Sequence, residues 1–283
     1  MRLLIPIISR DKRSAIYSDR PDFHFFEESG WRDVVTFSKA SDPVFRKHRK
    51  LFQSAFSPTS IVQYRDKQED LARALVKQII KNPPQWRPLL TKCASSLVLS
   101  IAYGLQIIED DDPYIVLADK IATYFANGGS PGSTGVDIAP FIRRLPNWVR
   151  VFPSLNFARD NHPLVREFVE APFASVKDRM AAGIPDISFT RKMLEEKHSE
   201  ISDNQSDVTE DDIKGAASTM YAAGADTTLA TIVVFVLCMV LNPEVQEKAR
   251  EELERVVGRD RLPSLADRGS IPCIDRLVYE TAR

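Results

Sequence analysis

A mainly α-helical fold is predicted by three observations. Apolar residues recur three and four apart along most of the chain. Period-two alternation is nearly confined to a weak run at Asp33–Phe37. One segment, Thr209–Leu241, reads as a single helix of unusual length. The composition supports a packed core: of 283 residues, 43% are hydrophobic and 27% charged, which excludes intrinsic disorder. With 38 Lys+Arg against 39 Asp+Glu the net charge is −1, so a dedicated nucleic-acid binder is excluded as well. Cys93, Cys238 and Cys273 are too few and too far apart for a disulfide framework or a zinc cluster. The four histidines show no pair at ligand spacing, so no metal site is expected from side chains alone.

The elements follow in order. Met1–Arg13 carries a short apolar run broken by Pro6, too short to span a membrane and without a cleavage site for a signal peptide. Pro43–Ala55 reads as a basic helix. Ser60–Lys81 reads as a longer amphipathic one, stopped by Asn82-Pro83-Pro84. Leu89–Gly104 is a mostly apolar helix expected in the core. Asp111–Asn127 is helical and runs into a loop at Gly128–Gly135, rich in Gly, Ser and Pro. Ile138–Phe157 interleaves Phe141, Trp148 and Phe152 with Arg143, Arg144 and Arg150, a pattern that suits a segment lying on a bilayer surface, or equally a packed internal connection. Helices at Pro163–Ala182 and Ile187–His198 precede a polar linker, Ser199–Asp207. No repeat or domain boundary is evident, so residues 1–283 are read as one domain.

Thr209 and Asp212 form a helix-start box, with Glu210, Asp211 and Asp212 complementing the positive end of the helix dipole. Asn242-Pro243 ends this helix and begins another, Pro243–Val257, capped by Gly258. Ala216–Leu241 is long enough to cross a membrane, but Asp226 near its centre would be costly there. A buried helix crossing the domain is the preferred reading. The last residues, Leu277–Arg283, form a helix without a stop signal, from which a chain cut short is expected.

Three constellations could carry chemistry. Ala222-Ala-Gly-Ala-Asp-Thr-Thr228 is unsuited to ordinary core: Gly weakens a helix by about 1 kcal/mol relative to Ala, and three polar side chains need partners. The gain is a flat patch at Ala223 and Gly224 that a planar or diatomic ligand can approach. Thr227 can turn its hydroxyl to an upstream carbonyl, loosening the helix and admitting water beside Asp226, as a proton relay would require. The competing reading is a tight helix crossing with Asp226 in solvent. Glu280 and Arg283 share a helix face, and a solvated pair is the plain reading. Phe45 and Arg49 also share a face, an aromatic ring beside a guanidinium able to grip a carboxylate, or else part of a solvated basic face.

Taken in order, these motifs resemble the cytochrome P450 family of haem-thiolate monooxygenases, across essentially all of the chain. Ala223-Gly224-Ala225-Asp226-Thr227-Thr228 looks like the family's oxygen-activating motif. Glu280 and Arg283 look like its Glu-x-x-Arg pair, and Phe45 with Arg49 resembles its Trp-x-x-x-Arg pattern with Phe in place of Trp. Tyr17–Pro21 and Arg259–Pro263 are similar to further family phrases. The flavour is that of fungal microsomal members similar to O-methylsterigmatocystin oxidoreductase. The resemblance implies haem, with Arg49 on a propionate, Asp226 and Thr227 in proton relay, and Ala223 and Gly224 shaping the oxygen pocket. Glu280 and Arg283 are then structural. It also implies a lipophilic small-molecule substrate, an NADPH-dependent reductase docking near Arg46–Lys50, and the cytosolic face of the endoplasmic reticulum. The family's Cys-containing haem loop is not found, since none of the three cysteines has its context, and the front of the family's chain is not matched either. Part of such an enzyme, with most β structure missing, is therefore expected. The alternative is a non-catalytic helical protein that does not bind haem, or an interaction module on the same scaffold.

Overall fold

The computed structural model describes residues 19–34, 38–107, 112–130, 132–198 and 207–283, and among these every regular element is a helix. The expected weak strand lies partly outside the described residues, and its first residues, Asp33 and Val34, form no strand. The segment 1–13 and most of the linker at 199–207 also lie outside. The α-helices are α1 (His24–Glu28), α2 (Pro43–Ala55), α3 (Arg65–Lys81), α4 (Trp86–Tyr103), α5 (Pro113–Asn127), α6 (Gly135–Ile138), α7 (Pro153–Ala181), α8 (Phe189–His198), α9 (Glu210–Leu241), α10 (Pro243–Val257) and α11 (Pro272–Thr281).

The described residues divide into two compact units. One is drawn from Met1–Ser57, Ala102–Gly104 and Asp111–Met220, the other from Pro58–Ile101, Leu105–Asp110 and Tyr221–Arg283. Aromatic rings build the core of the first. Phe25 stacks on Tyr124 and on Phe157, both at 6.2 Å between centroids, and Trp31 lies 5.2 Å from Phe125. Burial pushes the Tyr124 phenol up to about 12, so it stays neutral throughout the physiological range. Around this cluster α1 is tied to the chain ahead of α7: Arg143 Nε donates to Glu28 at 2.8 Å, and its Nη1 lies 2.8 Å from Glu27.

Helix starts follow local chemistry. Asp42 and Asp112 accept backbone N–H groups two residues on, from Val44 and Tyr114, each at 2.9 Å, just ahead of a proline at the first helical position. Thr209 and Asp212 close the expected box: Thr209 N and Oγ1 donate to Asp212 Oδ2 at 2.8 and 2.7 Å, while Asp212 N donates back at 3.1 Å.

Four expectations change. The helix expected from Pro163 begins ten residues earlier in the chain, at Pro153, and runs unbroken through Pro163 and Pro172 to Ala181. Proline removes a helix hydrogen bond, yet the buried stripe Leu155, Ala158, Val165, Phe168, Val169, Phe173 and Val176 holds the helix by packing. The helix expected over Ser60–Lys81 opens as a 3₁₀ turn, Ser60–Tyr64, before α3. Of the two readings of Ile138–Phe157, each holds for part of it: Ile142 is buried and the half-buried Phe157 ring stacks on Phe25 and Tyr124, whereas Ile138, Phe141, Trp148 and Val151 are exposed. Finally, α9 is buried only in part. Ile213, Ala216, Ala217, Ser218 and Tyr221 are buried, but beyond them only Ala225 and Met239 are, because no described element covers the remaining face. At 32 residues α9 is about 48 Å long, and it is long and apolar enough to cross a membrane by length and composition.

Candidate functional site

The long helix places its motif residues on two faces. Ala223, Asp226, Thr227, Ala230, Thr231, Val234 and Leu237 are exposed, and their three- and four-residue spacing makes them one stripe along α9. Small and hydroxyl side chains occupy its first part and branched apolar ones its end. Gly224, Ala225 and Thr228 turn away from this stripe. A methyl group at Gly224 would stand 2.9 Å from Val98 Cγ2 on α4, so that glycine lets two helices of the second unit approach closely. Sequence reasoning placed Gly224 and Ala223 on one flat patch. The structure places Ala223 on the open stripe and Gly224 against α4, which is the helix-crossing half of the competing reading.

The threonines behave as hydroxyls in a continuous helix. Thr227 Oγ1 donates to Ala223 O at 2.8 Å, Thr228 Oγ1 to Gly224 O at 2.7 Å and Thr231 Oγ1 to Thr227 O at 2.9 Å. The expected upstream bond of Thr227 is therefore made, but the helix keeps its α conformation through the motif and is not opened there. Asp226 and Thr227 are neighbours on the exposed stripe. The Thr227 oxygen, its hydrogen committed to Ala223, keeps its lone pairs to accept from water.

In the same unit, Glu280 lies in the last turn of α11 and Arg283 two residues past its end, their side chains paired at 3.6 Å and each about 70% exposed. Such a pair contributes tenths of a kcal/mol. The Arg259–Pro263 phrase acquires a structural meaning there. Arg261 grips Asp267 with two bonds of 2.7 and 2.6 Å, and Asp267 also accepts from Ser264 N at 2.8 Å, an arrangement that holds its carboxyl far below the usual range. The loop so fixed, Leu262–Leu265, faces α3 across a groove of about 370 Å³, where Leu265 N donates to Glu69 at 2.8 Å.

The first unit carries the other constellation. On α2 Phe45 is half-buried, with the Arg20 guanidinium 5.9 Å above its ring, and Arg49 one turn on is exposed. The inner face of α2, by contrast, carries His48, Leu51 and Ala55. His48 was passed over as one scattered histidine. The signal that could have found it is periodicity: position 48 falls on the apolar stripe with 44, 51 and 55.

The cysteines are all free. Cys93 lies on α4 with its thiol directed at Leu71 O, 3.9 Å away, and burial pushes that thiol up. Cys238 is half-buried near the end of α9, and Cys273 is half-buried in the first turn of α11, its N–H donated to Glu252 at 2.7 Å.

Comparison with known proteins covers nearly the whole chain. A family model described as Cytochrome P450 matches residues 10–283. Cytochrome P450 monooxygenase 136 of Postia placenta is 34% identical over 280 residues, which is 96% of this chain and 51% of that protein. Cytochrome P450 monooxygenase claR of Ampulloclitocybe clavipes is 35% identical over 291 residues, 99% of this chain and 51% of that protein. A zebrafish cytochrome P450 structure with progesterone superposes at a TM-score of 0.74 with 20% identity, over 98% of this chain and 63% of that one, a likeness of fold. The chain spans about half the length of the curated relatives it matches.

Proposed function

Because the chain belongs to the cytochrome P450 family, we propose that it forms part of a haem-dependent monooxygenase that inserts one oxygen atom from O₂ into a lipophilic small molecule. The observation that carries this reading is the stripe on α9, where Ala223, Asp226 and Thr227 share one open face of a 32-residue helix. Haem, when bound, supplies the iron at which oxygen is activated. The residues present fit that group in part. Arg49 presents an exposed guanidinium, suited to a propionate carboxylate at an apolar edge, with Phe45 beside it. Asp226 and Thr227 hold and pass protons along α9, and Ala223 keeps the stripe low enough for a small ligand to approach. Glu280 and Arg283 would have a structural role near the haem. Cys93 does not fit as a thiolate ligand to the iron, because burial on α4 pushes its thiol up. Electrons would come from an NADPH-dependent reductase, for which the basic run Arg46–Lys50 on α2 offers a docking charge.

Titration of the protein with hemin, followed at the Soret band, tests the assignment of Arg49. Arg49→Ala is expected to weaken binding about tenfold, the loss of one charge-assisted pair. Reduced, CO-treated protein is expected to lack the thiolate-type band. Unchanged affinity in the variant, or the thiolate-type band from this chain, would overturn the respective part of the proposal.

Membrane contact belongs to the same proposal. Ile138, Phe141, Trp148 and Val151 are each more than 70% exposed within one short stretch of the first unit, with Phe152 partly exposed beside them. Aromatic and branched side chains in that number suit a bilayer interface, as expected for the membrane-bound members the chain resembles. The protein should float with lipid vesicles, and the double variant Trp148→Ser, Phe152→Ser should lower the bound fraction at least about tenfold. Equal flotation of both proteins would sink the assignment.

A further inference from the structure

None of the three constellations uses the imidazole of His48, yet it is the most completely enclosed ionisable group on α2. Its side chain is fully buried, and neither Nδ1 nor Nε2 has a hydrogen-bond partner among the described residues. Nε2 stands 3.8 Å from Oδ1 of Asp212, in the first turn of α9. Asp212 is itself buried, and its other oxygen is occupied by Thr209 N and Oγ1. A methyl group at Gly215 would come within 2.9 Å of His48 Cε1, so α9 closes directly over the ring. The preceding residue, Lys47, reaches Asp207 at 3.1 Å and Asp212 at 3.6 Å. The helix α2 therefore meets the start of α9 through an outer ion pair at Lys47 and an inner contact at His48, all within the first unit.

We propose that His48 and Asp212 form an acid-sensitive latch, which holds α2 on the first turns of α9 while the imidazole is neutral and yields when it takes a proton. The charges around the ring decide the sign. Burial disfavours the imidazolium most. Asp212 on α9, Asp33 in the segment ahead of α2 and Asp42 at the start of α2 favour it, and Lys47 opposes it. Asp212 is already shared with Thr209 and Lys47, and Asp33 with Arg166 at 3.2 Å, so neither is free to repay the desolvation. The net result holds the His48 imidazole below its ordinary value of 6.5. An opened α2 thus binds a proton that the closed one refuses. The closed state has its full stability above pH 6.5 and loses it as the pH falls below that value.

Amide hydrogen exchange along α2, corrected for intrinsic rates, between about pH 7.5 and about pH 5.5 reads the latch directly. Protection of α2 is expected to fall by up to about tenfold per pH unit below 6.5. In His48→Leu, which fills the pocket without an ionisable group, that loss should shrink to less than about twofold. An NMR titration of the parent protein needs no variant to fold, and its His48 ring signal should move below pH 6.5. A ring that titrates at or above 6.5, or the same acid loss in His48→Leu, would overturn the latch. Both measurements stand whether or not the protein binds haem.

Discussion

Gly215→Ala is expected to destabilise the protein by about 3 kcal/mol, although alanine is the better helix former. In an open helix the exchange would gain about 1 kcal/mol. Here the added Cβ would lie 2.0 Å from the carbonyl oxygen of Asp33 and 2.9 Å from His48 Cε1. The first of these is main chain held beside a buried helix, so it cannot turn aside as a side-chain tip would. Overpacking of this kind commonly costs 1–3 kcal/mol and here falls at about the upper end. Gly224→Ala is the internal comparison. Its nearest neighbour is a methyl of Val98 at 2.9 Å, which a change of rotamer can relieve, so a loss of about 1 kcal/mol is expected. Urea unfolding of the three proteins measures both, and equal stability of Gly215→Ala and the parent would show that α9 does not approach Asp33 as described.

Arg179→Met is expected to cost about as much, for an electrostatic reason. From α7 the Arg179 guanidinium donates to the carbonyl oxygens of Tyr103 and, at 3.0 Å, of Gly104, where α4 ends with carbonyls that have no helical partner. It also pairs with Asp186 at 3.2 Å, and the Asp186 side chain is only 8% exposed. Methionine keeps much of the apolar stem but leaves two carbonyls and one buried carboxylate without their cation. Breaking such a pair from one side costs about 3 kcal/mol, mostly through the uncompensated charge. Asp186→Asn added to Arg179→Met should therefore recover part of the loss, although Asn must also replace the carboxylate as acceptor for Ser188 Oγ at 2.8 Å. If the second substitution adds its full cost to the first, the pair contributes no coupling and the assignment fails.

How much of this was legible beforehand varied with the range of the interaction. The helices α2 and α10 have the bounds that local signals gave them, because proline, caps and a terminal glycine act within a turn of the residues they affect. The box at Thr209 was legible for the same reason. The start of α7 was not, since Pro163 reads as a helix start and only the aromatic and branched residues packed on the far side keep the helix intact through it. Of the candidate site, the adjacency of Asp226 and Thr227 was legible, and their common exposure was not. The division of Ala223 from Gly224 required Val98, which lies more than a hundred residues away in the chain. His48 was hidden for a similar reason: its inward direction is periodic and readable, but Asp212 and Gly215, which make its burial consequential, come from another helix.

The amino-acid sequence alone determined the helical class, the start and end of the long helix, and the order of Phe45 and Arg49, Ala223 to Thr228, Glu280 and Arg283 on which the resemblance to the cytochrome P450 family was read. These are consequences of periodicity, capping and residue chemistry, which act over a few positions. Tertiary structure alone decided that Gly215 and Gly224 are points of helix contact, that Arg179 holds the end of α4, and that His48 is sealed against Asp212. Each of those facts depends on a close approach between segments distant in the chain, where exclusion of water and of extra volume sets the energy and no local pattern records the partner.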